Sequence, residues 1–256
     1  GQATRHDDGY LLTGAYQCGS GVDHAEYDGM GFMVVDGDEP PEFRMGVVAK
    51  DAVQLAGNWD VLGLRATASY DYVADGVTVR AGASFGYAAP GSVAPVHRRG
   101  GPLYDLGVLI LTCIGHSAWV MGLTRRALDE VRALAPTKHR MVSTTTPAES
   151  ERFLHDFARL EQRARAAAAR TRSVFRGAEA AAELSAVDAA LSAEVRSTTA
   201  FVTEEGAEIV RACYLMAGTS GLRSGPLERA FRDVHAGTQH AMVNPQHHVE
   251  WARTLL

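Results

Sequence analysis

An uncharged and strongly apolar stretch, Leu106–Thr124 (LGVLILTCIGHSAWVMGLT), is the feature that most constrains how this chain can fold. As a helix it is long enough to cross a lipid bilayer. It also contains Gly107, Gly115 and Gly122, and it passes directly into the charged, amphipathic segment Arg125–Leu134. We interpret it as the central buried helix of a bundle, in which the small residues allow close helix contacts, and we expect no membrane partner.

Four helices are predicted in the second half of the chain. The first covers Leu103–Ala135. The sequence Thr146-Pro147-Ala148-Glu149 is a capping box with proline at the first helical position, which predicts a second helix to about Phe175. Apolar residues at three- and four-residue spacing predict a third helix over Ser185–Ala217, closed by a glycine, and a fourth starts near Pro226. Residues 103–256 therefore predict an up-and-down four-helix bundle.

The first half of the chain has the sequence pattern of a β structure. Short apolar runs alternate there with turns rich in glycine, aspartate and proline. The runs are Tyr10–Thr13, Met30–Val35, Met45–Val48, Tyr70–Val73 and Gly76–Val79. This pattern predicts a small antiparallel β-barrel or sandwich domain over residues 1–92. Residues 93–102 predict a linker, so the fold class is α+β.

Charge and cysteine content bear on the partners and on the cellular compartment of this protein. The formal net charge is −5 and no basic cluster is interleaved with aromatic residues, which argues against nucleic acid binding. The chain has 3 cysteines, far apart and without a CxxC pair. An odd number of isolated cysteines indicates a reducing compartment, and the first residues lack the shape of a signal peptide, so we expect a cytoplasmic protein.

Generic catalytic and metal-binding motifs are weak in this sequence. Gly29-Met30-Gly31 begins a dinucleotide fingerprint that the following residues do not complete. Ser20, Asp23 and His24 are too close together for an ordinary catalytic triad on a strand. Adjacent His247 and His248 lack a carboxylate at helical spacing, and we expect no metal site there.

Three segments in the correct order resemble one family. Tyr16–Tyr27 (YQCGSGVDHAEY), Trp59–Asp71 (WDVLGLRATASYD) and Arg232–His240 (RDVHAGTQH) are similar to signatures of the two-component flavin-dependent monooxygenases built on the acyl-CoA dehydrogenase fold. The resemblance covers essentially the whole chain and implies that family's middle β domain and C-terminal helical domain. In the family a helical domain, which helps to form the wall of the substrate pocket, precedes the segment that Gly1 matches. Its absence from these 256 residues is compatible with a truncated sequence, with a second chain that supplies the wall, or with impaired activity.

The resemblance implies a set of site residues and partners. Ser20 matches the serine at the flavin and His240 matches the catalytic histidine, whereas His235 is the weaker candidate. The implied cofactor is reduced FMN or FAD, supplied by a separate flavin reductase and bound between the two halves. The residues implied to bind it are Ser20, Gly21, Trp59, Arg65, Thr67 and Ser69. We also expect a small-molecule substrate and a homotetramer, because the long apolar helices exceed what one copy can bury.

The sequence leaves more than one function open. Acyl-CoA dehydrogenases need a glutamate base, which one branch carries where this chain has Ala236 and another in the first bundle helix, where Leu106–Thr124 contains no acid. This disfavours an acyl-CoA dehydrogenase-type oxidoreductase. An inactive scaffold or partner subunit is also compatible with the sequence, and so is a monooxygenase that oxidises nitrogen or sulfur instead of carbon.

Overall fold

The computed structural model describes residues 1–37, 40–86, 101–139 and 144–256. The chain divides into two compact units, Gly1–Val96 and His97–Leu256. Over the described ranges, the first unit contains seven strands and the second contains five α-helices. Residues 93–100 of the predicted linker lie outside the described residues.

The first unit is built on a seven-stranded sheet with the order β5-β6-β2-β1-β3-β4-β7. Its strands are β1 (Gln2–His6), β2 (Gly9–Gly19), β3 (Tyr27–Val34), β4 (Glu42–Ala49), β5 (Gln54–Leu55), β6 (Tyr70–Arg80) and β7 (Ser84–Gly86). A turn at Asp7 and Asp8 joins β1 to β2 as a tight hairpin, in which His6 pairs with Gly9. β1, β5 and β7 lie outside the predicted runs.

The sheet is mixed, so the prediction of a purely antiparallel sheet is wrong. β1 pairs antiparallel with β2 but parallel with β3, through Gln2 with Met33 and Ala3 with Val34. The segment after β2 forms a short 3-10 turn, Val22–His24, before β3 begins on the other side of β1. Because β3 runs opposite to β2, it runs in the same direction as β1.

Two runs that the sequence separates belong to a single strand. Tyr70–Val73 and Gly76–Val79 are both part of β6, and the register against β2 shifts between them. Gly76 lies at the irregularity with φ 64°, a conformation that favours glycine, and its amide donates to Thr13 Oγ1 at 3.2 Å. The turn signal in the sequence is therefore a β-bulge, which bends a strand without ending it.

The sheet curls strongly around its core. Gly46 of β4 lies against Val79 of β6, although three strands separate them in the sheet order. A Cβ atom on Gly46 would be 2.6 Å from Val79 Cγ1 and 2.9 Å from the Phe32 ring. Leu12, Met30, Phe32 and Val79 are fully buried between the curled faces.

The second unit is mostly helical. Its helices are α1 (Gly107–Leu134), α2 (Glu151–Glu183), α3 (Ala189–Ala217), α4 (Pro226–Gly237) and α5 (Gln246–Leu255). The predicted capping box is present: Thr146 and Glu149 bond reciprocally just before α2. α2 extends well past Phe175, where its prediction stopped, because Arg176–Glu183 continues with good helix formers. α5 was not predicted.

The first helix packs one face inside the helical unit, whereas Val108, Gly115 and Gly122 are exposed. Ile110, Cys113, Val120 and Leu128 of α1 are fully buried, and α1 contacts α3 and α4 most extensively. Pro102–Leu134 is still long and apolar enough to span a membrane by length and composition. A core helix of a globular protein can be equally long and apolar. The buried stripe of α1 is typical of such a core helix.

Gly115 and Gly122 of α1 do not form the close helix contact that the sequence suggested. Around Gly115 and Gly122 no described atom lies within 4 Å of an added Cβ, so these two glycines face open space. The close contact comes from α3, where a Cβ on Gly206 would lie 2.6 Å from Val120 Cγ2 and 2.9 Å from Thr124 Oγ1. The small residue is on the partner helix of α1.

Candidate active site

Two of the sequence motifs meet at one end of the sheet. The last residue of β2 pairs with the first residue of β6, which brings the segments beyond these strands together. Ser20 and Ser69 therefore lie side by side, with their hydroxyl oxygens 2.8 Å apart. The amide of Gly21 donates to the carbonyl of Thr67 at 2.7 Å and ties the two segments together.

A 3-10 turn, Arg65–Thr67, extends this hydroxyl cluster. Thr67 Oγ1 lies 2.8 Å from Ser69 Oγ and 2.8 Å from the carbonyl oxygen of Leu64. Leu64 and Ala68, which flank the turn, have positive φ angles of 56° and 44°. Such conformations cost residues with a side chain ~1–3 kcal/mol and persist only where the surrounding structure holds them. The strained turn holds its hydroxyls in a defined arrangement.

Trp59 and Arg65 lie beside the same turn. The indole Nε1 of Trp59 donates to the Leu64 carbonyl at 3.1 Å, so this carbonyl accepts from both the indole and Thr67. The Arg65 side chain is 65% exposed, and its Nη2 lies 3.8 Å from Asp60 Oδ1 at the surface. The predicted cofactor-binding residues thus lie in or beside one cluster, with a guanidinium at its rim.

His240 lies in the helical unit, just beyond the end of α4. Its Nδ1 accepts a hydrogen bond from the Met242 amide at 3.2 Å, because His240 caps the 3-10 turn Ala241–Val243. When Nδ1 accepts, the hydrogen of the neutral ring is on Nε2. Although part of the side chain is exposed, desolvation lowers the pKa of His240 below its usual value. At neutral pH the ring is uncharged and presents an Nε2–H donor.

His116 of α1 is a candidate that the sequence analysis did not single out. Its ring centroid lies 5.0 Å from that of His240 and 5.3 Å from that of Trp119. Its Nε2 is buried and has no hydrogen-bond partner in the described part of the chain. Burial, and to a lesser extent repulsion from His240, lowers the pKa of His116 to about 4. A lone histidine in the apolar Leu106–Thr124 stretch was the available signal.

Gly237, the last residue of α4, sets the approach of this helix to α1. A Cβ at Gly237 would lie 2.2 Å from Trp119 Cη2 and 2.5 Å from Cζ3, so only glycine allows the indole to lie against the backbone. The contact fixes the end of α4, and with it His240, next to the ring of His116.

His235 has a different environment. Its ring packs on Phe231 with centroids 4.3 Å apart, and its Nδ1 donates to the Phe231 carbonyl at 2.7 Å. The neighbouring Arg232 side chain bonds to Glu228 one turn earlier. These are contacts within α4 itself.

The minor candidates take other roles. Asp23 accepts from the Tyr70 hydroxyl at 3.0 Å while Ser20 pairs with a serine, so these residues and His24 do not form a hydrogen-bonded triad. His248 Nδ1 lies 2.8 Å from a serine hydroxyl of α3. His247 Nδ1 lies 3.6 Å from a carboxylate oxygen of Glu250, three residues further along α5, so the statement that these histidines lack a carboxylate at helical spacing is wrong. Within the described ranges, no group of three metal-ligating side chains occurs.

A family model described as "Acyl-CoA dehydrogenase, C-terminal domain" matches residues 114–245, more than half of the chain. The chain belongs to this family. It is similar to an indole-3-acetate monooxygenase of Pseudomonas putida, with 27% identity over 92% of this chain and 59% of the relative. It is also 27% identical to the oxygenase subunit HsaA of a flavin-dependent monooxygenase from Rhodococcus jostii, over 94% of this chain and 64% of that protein.

Solved structures share the fold at lower identity. XiaF from Streptomyces sp., in complex with FADH2 and glycerol, has a TM-score of 0.85 and 21% identity, covering 99% of this chain and 66% of that one. FMN-bound TdsC from Paenibacillus sp. A11-2 has a TM-score of 0.79 and 22% identity, covering 100% of this chain and 66% of that one. The chain has an acyl-CoA dehydrogenase-like fold and spans about 60% of the curated relatives, 59% and 64% in these two cases.

Proposed function

We propose that this protein acts as the oxygenase component of a two-component flavin-dependent monooxygenase. The observation that carries the proposal is the cluster of Ser20, Thr67 and Ser69, which joins two separate sequence motifs by hydroxyl contacts of 2.8 Å. The names of the relatives, an indole-3-acetate monooxygenase and the HsaA oxygenase subunit, support the same activity.

The hydroxyl cluster fits a flavin ring. Gly21 has φ 81° and no described atom lies within 4 Å of an added Cβ, so a flat ring can approach the backbone beside Ser20. Arg65, exposed at the rim, suits the phosphate of FMN or FAD. Trp59, held by its indole bond, would form a wall of the site. When bound, the reduced flavin supplies the electrons with which O2 is activated.

His240 is our proposed acid/base residue. Its neutral ring presents Nε2–H, so its first action is to donate a hydrogen bond to an oxygen on which negative charge develops. Taking up a proton instead uses Nδ1 and releases the Met242 amide. An uncharged imidazole is the form expected at neutral pH, because desolvation lowers the pKa of His240.

The substrate that we propose is a small aromatic or natural-product molecule. Indole-3-acetate appears in the name of one relative, and TdsC has been solved with FMN and indole. A separate flavin reductase supplies the reduced flavin in this scheme, since HsaA is named as an oxygenase subunit. Oxidation at nitrogen or sulfur uses the same parts with a different substrate. An inactive scaffold is the main competing function, and it predicts no flavin binding.

We further propose that α1 to α4 form an up-and-down four-helix bundle, to which α5 is added, within a domain over residues 103–256. It follows a β-barrel-like domain over residues 1–92 and a linker over 93–102. A cytoplasmic homotetramer is the proposed assembly. Large apolar side chains on the helix surfaces support association, because exposed apolar residues on several helices favour burial against another copy. They include Val108, Leu154, Phe201 and Leu215.

The proposal is tested by a reductase-coupled assay with indole and phenol substrates, in which product and hydrogen peroxide are measured separately. His240→Ala should lower product formation ~100- to 10,000-fold, the usual cost of losing an acid/base group. His235→Ala is the matched control, since His235 contacts its own helix, and it should retain activity. Unchanged product and peroxide in His240→Ala would refute the role of His240, and failure of the wild type to bind either reduced flavin would refute the function.

A further inference from the structure

The hydrogen bonds of the hydroxyl cluster in the first unit all point the same way, toward the carbonyl of Leu64. A carbonyl oxygen only accepts hydrogen bonds, so at 2.8 Å Thr67 Oγ1 must donate its single hydrogen to the carbonyl of Leu64. The 2.8 Å contact between Thr67 and Ser69 then requires Ser69 to donate to Thr67. By the same count, Ser20 donates to Ser69 across their 2.8 Å contact.

This direction leaves Ser20 as an acceptor toward solvent. A hydroxyl group has one hydrogen and two lone pairs, and the hydrogen of Ser20 points inward to Ser69. Ser20 is exposed, whereas Ser69 is only 2% exposed, so Ser20 is the end of the chain that a ligand can reach. A ligand that presents an N–H to Ser20 finds a matched partner, and one that presents a lone pair meets repulsion.

The two redox states of a flavin differ in whether N5 of the ring donates or accepts a hydrogen bond. N5 of the reduced isoalloxazine ring carries a hydrogen and donates, whereas N5 of the oxidised ring has a lone pair and accepts. We propose that N5 of the bound ring faces Ser20, and that the chain Ser20–Ser69–Thr67–Leu64 selects reduced over oxidised flavin by holding Ser20 as an acceptor. This inference rests on the proposed function, and it makes Ser69 and Thr67 positioning residues that act through Ser20.

The strained turn explains how the direction is maintained. The Leu64 carbonyl anchors the chain, and it is held by the Trp59 indole at 3.1 Å as well as by Thr67. Leu64 and Ala68, on either side of the turn, have positive φ angles. Reversing the chain would leave this carbonyl without the Thr67 hydrogen, so reversal breaks a hydrogen bond that the turn geometry is built around.

The test compares the dissociation constants of oxidised FMN and photoreduced FMN under anaerobic conditions. Thr67→Val keeps the branched shape but removes the anchoring hydroxyl, so Ser69 can donate to Ser20 and Ser20 can donate outward. The ratio of the oxidised to the reduced dissociation constant should fall about tenfold, the effect of one mismatched hydrogen bond. Ser69→Ala should lower the ratio similarly, because it also releases the hydrogen of Ser20.

Conservative and remote variants separate this effect from loss of structure. Thr67→Ser restores the hydroxyl and should restore the wild-type ratio. Ser84→Ala removes a hydroxyl on the opposite edge of the same sheet, where it donates to the Ala81 carbonyl, and should leave the ratio unchanged. A tenfold change in the ratio corresponds to about 30 mV for a two-electron couple, so the potential of bound FMN should become more negative by that amount in Thr67→Val.

The possible failures are distinguishable. If both flavins bind but Thr67→Val and Ser69→Ala keep the wild-type ratio and potential, the hydroxyl chain does not set redox selectivity and this inference is wrong, while the proposed function stands. If neither flavin binds to the wild type, the proposed function is wrong and the inference falls with it.

Discussion

Replacing Gly237 by alanine tests whether the end of α4 is as close to α1 as the structure shows. The added Cβ would lie 2.2 Å from Trp119 Cη2 and 2.5 Å from Cζ3, and the atoms that must give way belong to a rigid, partly buried indole. Ordinary contacts of this kind are about 3.5–4.0 Å, so the ring or the helix end must shift by roughly 1.5 Å.

The expected free energy change combines two opposing effects. Overpacking a well-filled site costs ~1–3 kcal/mol. Alanine gains up to ~1 kcal/mol over glycine in a helix, and less at the last helical residue, which is where Gly237 lies. We expect a net loss of about 1–2 kcal/mol. Gly177→Ala in α2 is the matched control, because no described atom lies within 4 Å of its added Cβ and it should stabilise the protein by ~0.5–1 kcal/mol.

Urea denaturation followed by circular dichroism measures both variants, and tryptophan emission should report the displaced Trp119 in the native state of Gly237→Ala. The same variant should weaken product formation in the coupled assay, since His240 follows Gly237 closely in the chain. If Gly237→Ala stabilises the protein as much as Gly177→Ala does, the indole does not lie against the α4 backbone and the placement of His240 beside His116 is wrong.

Three further predictions follow from local packing and burial. Gly206→Ala should destabilise the helical unit by about 1 kcal/mol, because overpacking against α1 exceeds the helix-propensity gain; urea midpoints measure it, and a gain in stability would contradict the α1–α3 contact. Since the pKa of His116 is lowered to about 4, its neutral form favours the folded state, and the stability present above ~6.5 should be lost as pH falls toward 4. His116→Phe should flatten that part of the stability profile, and an unchanged slope would count against burial of the imidazole. Among the cysteines, only Cys18 is exposed, so a thiol reagent should label one group in the native protein and reach Cys113 and Cys213 only after denaturation.

Sequence patterns predicted what is encoded locally. The capping box at Thr146, the glycine that closes α3 and the start of α4 at Pro226 each depend on a few neighbouring residues, and each lies where the sequence placed it. The motifs around Ser20 and Trp59 identified residues that the sheet brings together, because both motifs lie at the ends of paired strands.

Other features depend on residues far apart in the chain and were not predicted. The parallel pairing of β1 with β3 follows from the path of the connection after β2, which no periodicity reports. The proximity of His116 and His240 depends on how α1 packs against the end of α4, with Trp119 lying on Gly237. The direction of the hydroxyl chain required the Leu64 carbonyl, a backbone atom that carries no signal in the sequence.

Isotopic labelling of oxygen tests the central claim most directly. The wild-type protein, supplied with reduced FMN by a flavin reductase and with an indole or phenol substrate, is incubated under labelled O2, and the product is analysed by mass spectrometry. The account predicts that one oxygen atom from O2 enters the product, and that His240→Ala diverts the oxygen to hydrogen peroxide. A product whose new oxygen comes from water, or consumption of O2 that yields only hydrogen peroxide with every substrate, would contradict it.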